Sequence, residues 1–214
     1  MSTVHHDGLY AMTARHPNPE RLILFSDAVF AIIMTLLVLE LRPPHSASWQ
    51  GLAGLWPSAM SYAVSYLFLA IVWTNHHHVL RFAPAASPRL IWGNFAHLFS
   101  VSLMPFATAW IADSRLGAVP VAFYATVFVL VNATYMILCA EAIDRQDTNI
   151  IPLHVRQTMR LRSFLTLALF ASAGCVALFQ PIIGLAIICA CLLLYLRPDT
   201  FKLSFATRRP TPTD

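Results

Sequence analysis

Charge is scarce in this chain. Asp, Glu, Lys and Arg together make up 11% of its 214 residues, against roughly 25% in a soluble globular domain. That scarcity excludes an ordinary water-soluble surface. Basic charge is also too thin for nucleic acid: the net charge is only +4, and its carriers are scattered. Cysteine is sparse too. The four thiols, Cys139, Cys175, Cys189 and Cys191, all fall inside apolar runs, and their spacing matches neither a zinc site nor a disulfide framework. They read as small core residues. No HExxH motif occurs, and no nucleophile stands beside a base. Glu40, Asp113, Glu141 and Asp144 sit at the ends of apolar runs and read as interfacial charges. An enzyme is therefore not expected, nor is a bound cofactor. Residues 1–20 are polar and hold no apolar core of the kind a signal peptide needs.

What is abundant is apolar length. Hydrophobic residues make up 57% of the chain, and windows of about 20 of them recur, each long enough to cross a bilayer as a helix. Six spans are expected, at roughly 22–41, 57–80, 90–112, 119–140, 162–179 and 182–196. The second opens at the Pro57 turn. The short "FQPIIG" connection predicts that the last two spans form a hairpin. The fold class is thus all-α, an integral membrane six-helix bundle, with a polar segment at 1–20, a membrane domain at 21–197 and a tail at 198–214. The tail, ending "RRPTPTD", is expected to be disordered.

Positive charge orients the spans. With the N-terminus in the cytoplasm, twelve of the fourteen Lys and Arg fall inside: Arg15, Arg21, Arg81, Arg89, Arg145, Arg156, Arg160, Arg162, Arg197, Lys202, Arg208 and Arg209. Arg42 and Arg115 fall outside. The positive-inside rule then predicts that both termini are cytoplasmic.

The first span, "RLILFSDAVFAIIMTLLVLEL", raises a question, because it carries an aspartate. On a helical wheel Phe25, Ile32, Leu36 and Leu39 fall within about 40° of one line, with Thr35 on its flank. Val38 projects well away from that stripe. Asp27 projects to nearly the opposite side, and Ser26 lies between. Lipid would accept the aliphatic face. It would not accept Asp27, which costs about 2.5–3.5 kcal/mol mid-helix, so Asp27 is expected to point at protein. Donors are available at the matching end of the bundle: Trp73, Asn75, His76 and His77 on the second span, and Trp92, Asn94 and His97 on the third. A carboxylate can accept from indole, amide or imidazole N–H groups. Such a network would lock the first helix into the bundle, with Arg21 balancing charge at the interface.

The histidines have other readings. His76, His77 and His78 are adjacent, so on a helix they splay about 100° apart and cannot all reach one metal ion; spacing of i,i+4 would be needed. A structural hydrogen-bond network, proton handling and, last, metal binding stay open at this point.

These residues resemble the transmembrane protein 175 family, potassium channels of lysosomes with many bacterial members. The family's Arg-x-x-x-Phe-Ser-Asp signature is matched by Arg21, Phe25, Ser26 and Asp27. Its "AIxxTLLxLE" continuation is matched by Ala31, Ile32, Thr35, Leu36, Leu37, Leu39 and Glu40. "WxNHHH" is matched at Trp73, Asn75 and the three histidines, and Trp92, Asn94 and "VSLMPFATA" at 101–109 match the third helix. The resemblance is close over the first three spans and rests on hydropathy and length over the rest. It implies a homotetramer in the cell membrane with the first helices around a central pore. It implies passage of potassium, rubidium and caesium ions without a TVGYG loop, which this chain lacks. Aliphatic rings would narrow the pore at Ile32, Leu36 and Leu39, with a selectivity-related threonine ring at Thr35. The chain has no internal repeat, so one special helix per subunit could build an axial pore only by oligomerising. Two rivals remain: a proton- or metal-coupled transporter using Asp27 and the histidines, and a structural or sensor protein in which the aliphatic stripe simply packs.

Overall fold

The computed structural model describes residues 19–146 and 151–195. Among them the chain forms eight helices and no strand: α1 (Pro19–Leu39), α2 (Trp49–Ala53), α3 (Trp56–Arg81), α4 (Pro88–Ser102), α5 (Met104–Asp113), α6 (Ala118–Ala142), α7 (Leu153–Ala177) and α8 (Pro181–Tyr195). Five segments are long and apolar enough to cross a membrane: α1, α3, the α4–α5 pair, α6 and α7. This is a membrane protein. α8 is apolar but has 15 residues, about 22 Å at a rise of 1.5 Å each. The N-terminal segment, the tail and the cations Arg15, Arg197, Lys202, Arg208 and Arg209 lie outside the described residues.

Three differences from the sequence reading have local causes. The third span is broken at Leu103, because Pro105 sits in the first turn of α5; proline has no N–H to give and its ring crowds the carbonyl four residues back. The fifth span begins nine residues earlier than its apolar run. α7 starts after Pro152 at Leu153, so Arg156 and Arg160, outside the expected span, are helical rather than loop residues. Hydropathy marks where a helix enters lipid, not where its hydrogen bonding starts. The third difference is α2, which the polar stretch around it concealed. Ser48 caps it by accepting from the Gly51 N–H at 3.1 Å.

The helices surround one long core. Phe68, Phe128 and Phe170, from α3, α6 and α7, meet at its centre, with the first two rings stacked at 3.7 Å between centroids. Phe30, Ile33 and Leu37 bring one side of α1 into the same core. A second cluster, including Val79, Leu80, Leu90, Leu138 and Ile151, closes the end of the bundle where α1 begins. Hydroxyls tie the middle of the bundle together. Thr108 donates to its own helix at Met104 O, 2.7 Å. Ser65 must therefore donate to Thr108, and Tyr124 to Ser65, each at 2.7 Å. The chain of donors links α3, α5 and α6 and leaves no hydroxyl hydrogen stranded.

α7 and α8 pack side by side, as their short connection predicts. Gly184 makes this possible: a Cβ there would lie 2.6 Å from the Ala177 Cβ and 2.8 Å from the Ala173 carbonyl oxygen. Neither neighbour can swing aside as a flexible side chain could. Gly184→Ala should cost about 1–3 kcal/mol of overpacking, read as a lower Tm of the purified protein in detergent. An unchanged Tm would mean that the two helices separate freely at this point.

Candidate pore helix and its anchor

α1 has two unlike sides. Ser26, Phe30, Ile33 and Leu37 are buried, which is the spacing of one helical face. The opposite side is open. Ile32 is 59% exposed and Leu39 71%, with Leu24, Phe25 and Leu36 also exposed. Ala28, Ala31 and Thr35 lie exposed between them. Thr35 donates its hydroxyl hydrogen to Ile32 O at 2.7 Å, so its oxygen lone pairs remain on the open side. The open surface is broader than the aliphatic stripe. Val38, set apart from the stripe on the wheel, is 49% exposed as well, because the neighbouring helices cover less than half of α1.

The buried side is anchored near its beginning. Asp27 accepts from Trp73 Nε1 at 2.9 Å and from His77 Nδ1 at 3.3 Å. Trp73 and His77 are four residues apart on α3, so they stand on one face and can grip a single carboxylate. His76 is turned away from His77 and enters the interior. Its Nε2–H donates to Asn94 Oδ1 at 2.7 Å. Asn94 Nδ2 donates to Ser26 Oγ at 2.9 Å, and Ser26 donates to Leu22 O at 2.8 Å. One run of donors thus passes from α3 through α4 into α1. Because the amide oxygen of Asn94 must accept, the His76 proton sits on Nε2.

His97 extends the cluster. It stacks on His76 with centroids 5.3 Å apart and planes within 5°. Phe30 packs against both rings. Thr134 gives its hydrogen to Leu130 O, so His97 Nδ1–H donates to Thr134 Oγ1 at 3.0 Å. Nδ1 of His76 and Nε2 of His97 have no hydrogen-bond partner among the described residues. Both are bare lone pairs, which are less costly to leave unmatched than donors.

Three of the residues expected in this network stand elsewhere. Asn75 lies two residues from Trp73 and therefore points to another side of α3. It lines a cavity of about 50 Å³ with Asn132, Tyr135 and Thr166. Trp92 is 74% exposed, with its ring tilted against Phe95 at 6.1 Å between centroids. Arg21 is exposed on the open side of α1, outside the hydrogen bonds that hold Asp27. Thr134 is the partner that sequence reasoning missed. A threonine in an apolar span was the available signal, but it names no partner. Among the described residues no group of three His, Cys, Asp or Glu converges as a metal site.

Residues 21–105 match the family model described as the endosomal/lysosomal potassium channel TMEM175. A potassium channel from Chryseobacterium sp. (strain P1-3) is 32% identical over 179 residues, covering 84% of this chain and 93% of its own. The chain belongs to the TMEM175 potassium channel family. A potassium channel from Streptomyces collinus is 34% identical over 126 residues, covering 55% of this chain and 61% of its own. In fold, the chain is similar to the crystal structure of a lysosomal potassium-selective channel TMEM175 homolog from Chamaesiphon minutus. The TM-score is 0.75 at 23% identity, over 83% of this chain and 95% of that one. A family of ion channels is consistent with the absence of enzyme motifs. The family match opens at Arg21 and closes in α5, so it contains the open face of α1 and every anchor residue except Thr134.

The anchor predicts its own mutational response. Asp27→Asn replaces one acceptor oxygen with an amide that faces a donor. It should destabilise the fold or its assembly by about 1–3 kcal/mol and leave ion selectivity nearly unchanged. Thermal unfolding in detergent and bi-ionic reversal potentials measure the two effects. Intact stability with altered permeability ratios would place Asp27 in the ion path.

Proposed function

We propose that the protein is a potassium-selective cation channel. Four identical subunits line a central pore with their α1 helices and conduct potassium passively, with rubidium and caesium also permeant. The observation that carries this reading is the two-sided character of α1. One side is anchored by Asp27, Ser26 and the core; the other leaves Leu24, Ile32, Thr35, Leu36 and Leu39 exposed among the described residues, with Phe25 turned edge-on to Phe95 near its start. One such helix per chain needs symmetric copies to enclose an axis. The two potassium channels similar in sequence, and the potassium-selective homolog similar in fold, support the choice of ion.

The pore would work without a ring of carbonyls. Aliphatic rings offer an ion no ligands in place of water. They gate by dewetting and discriminate by size and hydration cost. Ile32 would form the tightest ring, and Leu36 and Leu39 would extend the constriction. Thr35 supplies oxygens between them, since its hydrogen is already bound to the helix. In this reading α8 completes a sixth crossing. The protein lies in the cell membrane with both termini cytoplasmic. Arg21, Arg81, Arg89, Arg145, Arg156, Arg160 and Arg162 mark the inner end, and Arg42 and Arg115 the outer. A coupled transporter would need Asp27 and His77 free to bind and release its ion. Their mutual hydrogen bond, and the turn of Asp27 away from the open face, favour the channel.

Potassium flux into liposomes holding the purified protein tests the reading. Current under voltage alone supports a channel, whereas a requirement for a second gradient would make it a transporter. Crosslinking in detergent should end at four subunits; a monomer or dimer would remove the axial pore. Ile32→Asn places four polar groups at the constriction and should raise conductance while lowering the potassium-over-sodium preference. Leu165→Asn, on the exposed side of α7, should do neither. Equal effects at the two positions would mean that the α1 stripe packs against lipid.

A further inference from the structure

Phe25 and Asp27 are two residues apart in sequence and so about 160° apart around α1. They mark the two edges of its open side. At one edge Phe25 meets Phe95 of α4, edge-on with centroids 5.7 Å apart. At the other, Asp27 meets Trp73 and His77 of α3. Each edge carries a hydrogen-bonding group that its own subunit leaves unused.

At the α3 edge the group is an acceptor. The side chains of Asp27 and His77 are 28% and 31% exposed. His77 gives its Nδ1–H to the carboxylate at 3.3 Å, so its Nε2 is a bare lone pair. That nitrogen has no hydrogen-bond partner among the described residues. Unlike the bare nitrogens of His76 and His97, it is open at the surface. At the α4 edge the group is a donor. Trp92 is 74% exposed, and its indole N–H has no partner among the described residues. The two groups stand at one level of the bundle. His76, next to His77, bonds Asn94 directly at 2.7 Å, and Trp92 is two residues from Asn94, about 3 Å along the helix.

A helix that lines an axis turns both edges of its open side toward neighbouring copies. Rotation about an axis normal to the membrane keeps every atom at its own depth. The α3 edge of one subunit therefore meets the α4 edge of the next at the same level, and the unpaired acceptor faces the unpaired donor. Lipid tails offer a partner to neither.

We propose that Trp92 of each subunit seats on the α3 edge of the next, its indole N–H donating to Nε2 of the partner subunit's His77 and its ring covering the exposed side of the Asp27 cluster. The contact is heterologous, and four of them close a ring. It rests on the α1 helices surrounding an axis and not on which ion passes.

The test uses the full-length protein in detergent, with dissociation of tetramers on dilution read by native mass spectrometry. Trp92→Phe keeps an aromatic ring and removes the N–H. It should raise the concentration at which tetramers fall apart by about tenfold or more, the scale of one hydrogen bond lost at each interface. Trp110→Phe makes the same chemical change at the far end of the α4–α5 pair and should leave that concentration unchanged. In parallel, a photo-crosslinker replaces Phe99, which is 68% exposed and two turns beyond Trp92 on the same side. It should join subunits through α1 or α3 of the partner. Unchanged dissociation of Trp92→Phe, or crosslinks to lipid and detergent alone, overturns the proposal and makes Trp92 an anchor in the headgroup layer. Equal loss in both tryptophan variants overturns it as well, since ring packing rather than the His77 pair would then hold the subunits. A wild-type chain that stays monomeric or dimeric removes this contact together with the axial pore. Tetramers that respond as expected but pass no potassium would refute the ion path and leave the interface standing.

Discussion

The amide of Asn94 is committed at both ends. Its oxygen accepts from His76 and its nitrogen donates to Ser26. Three helices meet at that one planar group, and the geometry tolerates little slippage. In lipid the hydrophobic effect does not press helices together, since the tails are as apolar as leucine. Packing and interhelical hydrogen bonds must hold them instead. The Asn94 junction and the Asp27 carboxylate, gripped by Trp73 and His77, do this for α1. The rest of the architecture follows from where they sit.

Both anchors act at the beginning of α1 and on one side of it. Beyond Phe30 that side continues as ordinary core, through Ile33 and Leu37. The other side is exposed along most of the helix, from Leu24 to Leu39. A helix held in this way can present an aliphatic surface to an axis and keep its register. The side chains that specify register point away from the ones that would touch an ion. Polar chemistry in α1 is therefore of two kinds. Ser26 and Asp27 are spent inside the subunit, while Thr35 satisfies itself on its own backbone and keeps its oxygen outward.

Much of this is legible in the amino-acid sequence. The apolar runs locate the spans, because a bilayer demands that length from any helix that crosses it. The aspartate in the first span demands a partner, and the candidates at the matching end are few. Trp73 and His77 are among them and hold the carboxylate, while His76 and Asn94, also among them, tie down the neighbouring Ser26. Within one subunit, Arg21, Asn75 and Trp92 group with them only by proximity in sequence. A turn of about 100° per residue separates such neighbours, and the packing of α3 against α6 and α7 sends Asn75 the other way. Thr134 lies far along the chain, in a span whose hydroxyls look interchangeable.

Composition and periodicity alone determined that the chain is helical, belongs in a membrane and carries one helix with an apolar stripe and an acid on its far side. Those properties are local: they depend on side-chain transfer into lipid and on the pitch of the helix. Which donor takes which oxygen of Asp27, why α7 begins among arginines and how widely α1 stands open were decided only by tertiary structure. Each depends on the distance between helices remote in sequence, and no window along the chain contains that distance.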